Sequence, residues 1–321
     1  MFADIRPTDV LAAADRIRPL INRTPLILSD SLSDAAKGDV YLKLENEQIT
    51  GSFKLRGALN VLATLSPEVR ARGVVASSAG NHGLGVAYAA KHFRVPAMIF
   101  VPSTAPKLKR DGITALGATI DTSQPDYDQA MVAAKEFAVE TGRVFINPCL
   151  GEMLLAGQGT VALEILGEIP DLKTMVVNVG GGGLLGGCGA ITRAVAPGVR
   201  IVGAQSVNTA AMAKSIAAGH VVDIESVPTL ADGLAGLIDA DALDIGQHAL
   251  DDIVTLTEDE IGRTIAWMWK RNGQRVEGAG ACAVGSVWLE KIQNLQTPAA
   301  IVISGGNIDQ GKLEEVIAAN G

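Results

Sequence analysis

From residue 74 onward, short runs of β-branched and apolar residues alternate with alanine-rich runs of helical length, and that alternation leaves few folds open to the chain. Val74 to Ser77, Ala97 to Val101, Ala118 to Asp121, Val144 to Asn147, Thr174 to Val179, Val199 to Ala204 and Ala299 to Ser304 read as buried strands. Gly83 to His92, Asp126 to Thr141, Leu154 to Glu168 and Leu185 to Val195 read as helices between them. Strand, helix and strand in succession require crossovers, so the strands run parallel and helices cover both sheet faces. The class is α/β, and in such folds ligands collect where strands end and helices begin.

Upstream of this pattern, Val40, Leu42 and Leu44 alternate with Tyr41, Lys43 and Glu45, as in a half-buried strand. The run Thr50-Gly51-Ser52-Phe53-Lys54-Leu55-Arg56-Gly57-Ala58 then breaks and starts a helix, with Ser52 as the expected N-cap. Lys54 therefore falls in the first turn, where the helix dipole disfavours a cation and favours the amine that attacks a carbonyl or takes a proton. An exposed surface lysine is the plain alternative. Thr8 is the expected cap of an earlier helix that Pro19 stops, and Thr257 to Glu260 has capping-box spacing.

Three loops at strand ends have unusual content. Ser77-Ser78-Ala79-Gly80-Asn81-His82-Gly83 presents small residues at a helix N-terminus, which suits a carboxylate or phosphate. Gly180-Gly181-Gly182-Gly183-Leu184 lets backbone amides wrap an anion closely. Ser304-Gly305-Gly306-Asn307 places a hydroxyl at a strand end. Each also reads as an ordinary turn. Gly181, Gly183 and Gly186 satisfy G-x-G-x-x-G, but the next strand leads to Gln205 rather than to the acid that would hold a dinucleotide's ribose, so a nicotinamide enzyme is the less favoured reading.

A net charge of -8 argues against nucleic acid or an anionic membrane as partner and favours a small molecule. Cys149, Cys188 and Cys282 are widely spaced and form no C-x-x-C pair, so neither a disulfide framework nor a zinc site is expected. His82, His92, His220 and His248 have no zinc-like spacing either. No apolar leader precedes Asp4, Arg6 and Asp9, and the uncharged stretch from Thr174 to Thr192 has glycine at its middle, unlike a membrane span. A reduced, cytoplasmic protein is expected.

In order along the chain, T-G-S-F-K-x-R-G-A around Lys54, S-A-G-N-H at Ser78 to His82, G-G-G-G at Gly180 to Gly183 and S-G-G-N at Ser304 to Asn307 resemble the tryptophan-synthase-β-like (fold type II) pyridoxal-phosphate enzymes, and among them the threonine dehydratase and serine racemase group. The resemblance spans nearly the whole chain. It implies two open, mostly parallel sheets flanked by helices, with pyridoxal 5'-phosphate in the cleft between a large domain (1–72 and 143–321) and a small one (73–142), and a homodimer. It implies that Lys54 carries the cofactor and later acts as base at Cα, that Phe53 packs near the ring and that Asn81 bonds its 3-oxygen. Gly180, Gly181, Gly182, Gly183 and Leu184 would hold the phosphate, Ser304 would face the pyridine nitrogen, and Glu277 would lie near it. Ser78, Ala79, Gly80, Asn81 and His82 would form the substrate-carboxylate pocket. A hydroxyl against the nitrogen, unlike a carboxylate, does not keep it protonated, and the weaker electron sink suits β-elimination. The implied activity is dehydration of an L-3-hydroxy amino acid, L-threonine or L-serine first, to a 2-keto acid and ammonia.

Departures from the group narrow this further. Racemases of the group place a serine where this chain has Ala79, so a dehydratase is preferred to a racemase. Their divalent-metal site uses acids where Gln205 and Ala211 stand, so no divalent metal is expected. Members that handle acidic substrates carry an arginine near Ala130, which lowers the odds of hydroxyaspartate. Small residues in Ala231 to Gly236 keep bulkier substrates such as phenylserine open, and the proline that usually follows Glu277 is replaced by Gly278. A non-catalytic cofactor-binding protein on the same fold is the alternative from a different class.

Overall fold

The computed structural model describes residues 2–225 and 227–320; the expected domain ends at Met1 and Gly321 lie outside them. The described strands are β1 (Leu26–Leu28), β2 (Val40–Leu44), β3 (Val74–Ser77), β4 (Ala97–Phe100), β5 (Thr119–Asp121), β6 (Val144–Phe145), β7 (Thr174–Asn178), β8 (Arg200–Ser206), β9 (Asp252–Leu256) and β10 (Ala299–Ile303). They form a six-stranded sheet ordered β1-β2-β10-β7-β8-β9 and a four-stranded sheet ordered β5-β4-β3-β6. Every pairing is parallel except that of β1 with β2. The two open sheets expected of the α/β class are present. β7 and β10, at the middle of the larger sheet, are buried at every position, which explains why β10 is apolar throughout and β7 is apolar between Thr174 and Asn178.

Two strands escaped the sequence pattern. β1 and β9 are the edges of the larger sheet: β1 is apolar but only three residues long, with Ile27 and Leu28 exposed, and β9 is interrupted by Thr255 and mostly half buried, so neither writes the run of a central strand. β2 departs in the opposite sense. It was expected to be half buried, yet Lys43 and Glu45 are as inaccessible as Val40 and Leu42. Their charges are absorbed in a buried cluster with Arg56 and Glu164, which replaces the solvent that the alternation implied.

Glycine contacts set the distances on which the site depends. The helix Glu152–Glu168 lies against the helix Lys54–Thr64 so closely that a Cβ on Gly157 would fall 2.7 Å from the carbonyl oxygen of Arg56. Its Gly159 meets Gly187 of the helix Gly183–Val195, where a Cβ on Gly187 would stand 2.4 Å from the Gly159 nitrogen. One continuous stack thus joins the lysine helix to the helix that follows the four glycines. Gly85, in the helix Asn81–Phe93, brings the helix that follows the Ser77 to Gly83 loop against the backbone of Lys54 and Leu55.

Two expected caps are corrected. Pro7 opens the first helix, Pro7–Ile17, with Arg6 before it, because a proline's fixed φ starts a helix readily; Thr8 lies inside. Ser52 does not cap the lysine helix, which begins at Lys54 after Phe53. The backbone there is claimed by the other end of the chain: the Phe53 amide donates to the Ser304 carbonyl at 3.1 Å and the Gly306 amide to the Gly51 carbonyl at 3.0 Å. Tertiary pairing overrides the local cap and ties Lys54 to the loop after β10. The Thr257–Glu260 capping box is present as expected.

Candidate active site

The C-terminal ends of strands from both sheets open into one cavity of about 710 Å³. Phe53, Lys54, Ser78, Ala79, Gly80, Asn81, His82, Gly180, Gly181, Gly182, Gly183, Leu184, Glu277 and Ser304 all line it. The residues singled out from five separate stretches of sequence therefore share one chamber. Lys54 is the first residue of its helix; its Nζ donates to the carbonyl of Pro148 at 2.6 Å and lies 5.2 Å from the Phe53 ring centroid.

The glycine loop is shaped for close approach. A Cβ on Gly181 would stand 2.6 Å from Cys149 Sγ, one on Gly180 would stand 3.0 Å from the Leu234 Cα, and Gly182 has φ +87°. Behind the loop the helix Gly183–Val195 starts with no side-chain cap and no acid in its first turn, so its amides and dipole are left for an anion. A phosphate fits that cradle without displacing any protein acceptor of the cap.

The loop after β3 behaves differently at each residue. The Ser78 hydroxyl accepts from the Gly80 amide at 3.1 Å. His82 is buried, with Nε2 2.9 Å from the Ile146 carbonyl. Burial, and then the charge of Lys54, push its pKa down to about 3 against the opposing pull of that carbonyl, so its ring is neutral and brings no charge to a carboxylate. Asn81 is held from both ends: Nδ2 donates to Glu277 Oε1 at 2.7 Å, and Oδ1 accepts from Asn307 Nδ2 at 2.7 Å. One Nδ2 hydrogen of Asn81 remains for a ligand.

Glu277 is buried, and burial followed by the charge of Asp232 raises its pKa to about 7, while the Asn81 hydrogen bond and Lys109 oppose the rise. Gly278 follows it where a Cβ would fall 1.9 Å from the Leu230 carbonyl oxygen. The missing proline has that steric explanation: the backbone of the 230–236 segment occupies the space of its ring.

On the lysine helix itself, two residues after Lys54, Arg56 spends all its donors. Nε and Nη2 bond Glu45 at 2.8 Å each, Nη1 bonds Glu164 at 2.7 Å and Thr160 at 3.1 Å, and Nη2 also reaches Glu164 and Thr24. Lys43 completes the cluster, 2.5 Å from Glu164. Burial works against the Glu164 charge, but Arg56 and Lys43 outweigh it and hold its pKa below the ordinary range.

Sequence reasoning missed several lining residues. Asp126, Tyr127, Asp128 and Lys109 enter from the smaller sheet's side, and Asp232 meets Lys109 at 3.0 Å across the mouth. Ala130 packs in the core with Val75 and Phe100, while Asp126, Tyr127 and Asp128 of the same segment line the cavity, and none of them is an arginine. Cys149 lies half buried on the wall, and Asn178 on the floor. A polar residue ending an otherwise apolar strand was the available signal for Asn178. Gln205, which stands where racemase-like members would have an acidic metal ligand, spends its side chain on the Thr209 carbonyl and the Ala213 amide. Among the described residues no helix is long and apolar enough to cross a membrane.

Fold and cavity together define an α/β enzyme of the open-sheet type, with a lysine, a glycine loop and a strand-end hydroxyl lining one cavity. The chain belongs to the pyridoxal-phosphate dependent enzyme family, whose model matches residues 17–305. It is 41% identical over 310 residues to an L-threonine ammonia-lyase of Thermotoga maritima, covering 96% of this chain and 77% of that one. It is 36% identical to the catabolic L-threonine dehydratase TdcB of Staphylococcus aureus, covering 96% and 91% of the two chains. Maize serine racemase superposes with a TM-score of 0.92 at 30% identity, covering 98% of this chain and 97% of that one.

Proposed function

We propose that this chain is an ammonia-lyase that dehydrates L-threonine, and L-serine as a smaller substrate, to a 2-keto acid and ammonia. The observation that carries the reading is the meeting of Lys54, the uncapped glycine loop and Ser304 in one cavity, with a methyl group at Ala79 where a second proton carrier would be needed for racemisation. The threonine-specific names of the relatives support the choice of substrate.

Bound pyridoxal phosphate supplies an electron sink that acidifies Cα of an amino acid. The amides of Gly180 to Gly183 and Leu184 would hold its phosphate, Lys54 its aldehyde carbon, Phe53 and Asn81 its ring and 3-oxygen, and Ser304 and Glu277 the nitrogen side. Lys54 takes the Cα proton at Nζ, and the Pro148 carbonyl keeps that amine aimed into the cavity. The N-terminus of the helix Asn81–Phe93 and the Ser78 hydroxyl receive the substrate carboxylate. Asp126 and Asp128 at the wall disfavour an acidic side chain by like charge, so hydroxyaspartate is a poor substrate.

The segment 73–142 acts as a smaller domain between 1–72 and 143–321, closing over substrate through contacts such as Lys109 with Asp232. A cytoplasmic homodimer is the assembly that goes with this reading. The test is keto-acid and ammonia release from L-threonine, L-serine, D-serine, hydroxyaspartate and phenylserine isomers, read as relative kcat/KM, with Lys54→Ala alongside. Threonine is expected to lead, and Lys54→Ala to lose both turnover and the visible absorbance of the bound cofactor. A Lys54→Ala protein with an unchanged spectrum would remove the basis of the assignment.

A further inference from the structure

Asn178 ends β7 with its side chain buried beside Ser304, the residue that follows β10 on the neighbouring strand. Its amide makes three hydrogen bonds. Oδ1 accepts from the Ala283 amide at 2.7 Å, and Nδ2 donates to the Val302 carbonyl at 3.0 Å and to Ser304 Oγ at 3.2 Å. These bonds agree in one orientation only. Turning the amide over would set its NH₂ against the Ala283 N–H and its oxygen against the Val302 carbonyl, two contacts with no proton or one too many.

Both amide hydrogens are therefore assigned, and one lone pair of Ser304 Oγ is filled from the protein side. A hydroxyl that already accepts a hydrogen bond is polarised into a better donor and a poorer acceptor. Its O–H is not consumed by Asn178, which offers it only an N–H, and the hydroxyl lines the cavity. The Glu277 carboxylate, another group of the cavity lining, is engaged by Asn81 rather than by Ser304.

We propose that Asn178 is a positioning residue that turns the Ser304 hydroxyl into a donor towards the cavity, so that a pyridine nitrogen bound against it is kept unprotonated. The inference rests on the reading above that Ser304 meets that nitrogen. An unprotonated nitrogen accepts one hydrogen bond, and a pyridinium needs an acceptor that this arrangement does not favour. Asn178 thereby governs how strongly the bound ring withdraws electrons, acting through the Ser304 hydroxyl.

The experiment is nitrogen-15 NMR of holoenzyme loaded with pyridoxal phosphate labelled at the ring nitrogen, for the wild type, Asn178→Asp, Asn178→Ala and Ser304→Ala. The wild-type signal is expected at the free-base position at neutral pH. Asn178→Asp offers the hydroxyl an acceptor, turns its lone pair to the ring and moves the signal towards the pyridinium position; Asn178→Ala moves it the same way by less. If Asn178→Asp does not fold, Asn178→Ala carries the same readout. A pyridinium signal in the wild type, or Asn178 variants that keep the wild-type shift while Ser304→Ala changes it, would overturn the role of Asn178. A signal indifferent to Ser304→Ala would instead overturn the placement of Ser304 against the nitrogen.

Discussion

Replacing Arg56 by methionine removes one of two cations from a cluster in which Lys43, Glu45 and Arg56 have no solvent exposure and Glu164 has a side-chain exposure of 18%. The four charges cancel. Without Arg56, Glu164 keeps Lys43 at 2.5 Å, while Glu45 keeps only the Thr24 hydroxyl. Glu45 is therefore the group left charged and unpaired, and breaking a buried pair in this way costs about 3–5 kcal/mol. Protonation limits the loss: carrying a carboxyl of ordinary pKa to its neutral form costs about 4 kcal/mol at pH 7 and about 1 kcal/mol at pH 5. The variant's folded state then binds the extra proton, so its deficit shrinks as pH falls towards the ordinary carboxylate range. Urea unfolding followed by circular dichroism should show a deficit of about 3–5 kcal/mol at pH 7 and about 2–3 kcal/mol less at pH 5. Adding Glu45→Gln should recover much of it. Because the same helix begins at Lys54, kcat should fall as well. A deficit under about 1 kcal/mol at pH 7, or one equal at both pH values, would refute the account of the cluster.

Other outcomes follow from His82 and Gly278. The folded pKa of His82 near 3 lies below its ordinary value, so between about pH 6.5 and 3 the unfolded chain takes a proton that the folded chain does not, and stability declines as pH falls through that window. Relative to His82→Gln, the wild type should lose about 3 kcal/mol between pH 7 and pH 4; unfolding curves that stay parallel across that range would rule this out. Gly278→Ala forces a methyl group onto the Leu230 backbone, so the 230–236 segment must shift, with an expected cost of about 1–3 kcal/mol and a raised KM. Unchanged Tm and KM in that variant would show that the segment yields freely.

The α/β class was legible in the sequence by itself because burial on both faces of a parallel strand writes a continuous apolar run, as in β10 and the middle of β7, and crossover helices write their own period between such runs. The glycine loop and Lys54 were legible for a similar reason: the absence of a Cβ and a helix start after Thr-Gly-Ser are local properties. Other features were decided only when the chain closed. The Ser52 cap gave way to bonds with Ser304 and Gly306, and the polar face of β2 turned out to be the buried partner set of Arg56 and Glu164. Asn178 acquires its meaning only from Ala283, Val302 and Ser304, more than a hundred residues away. Periodicity reports how each segment meets water, and it is blind to which distant group replaces that water. The partners of a buried polar atom are a property of the packed molecule, and here those partners orient the groups that meet the ligand.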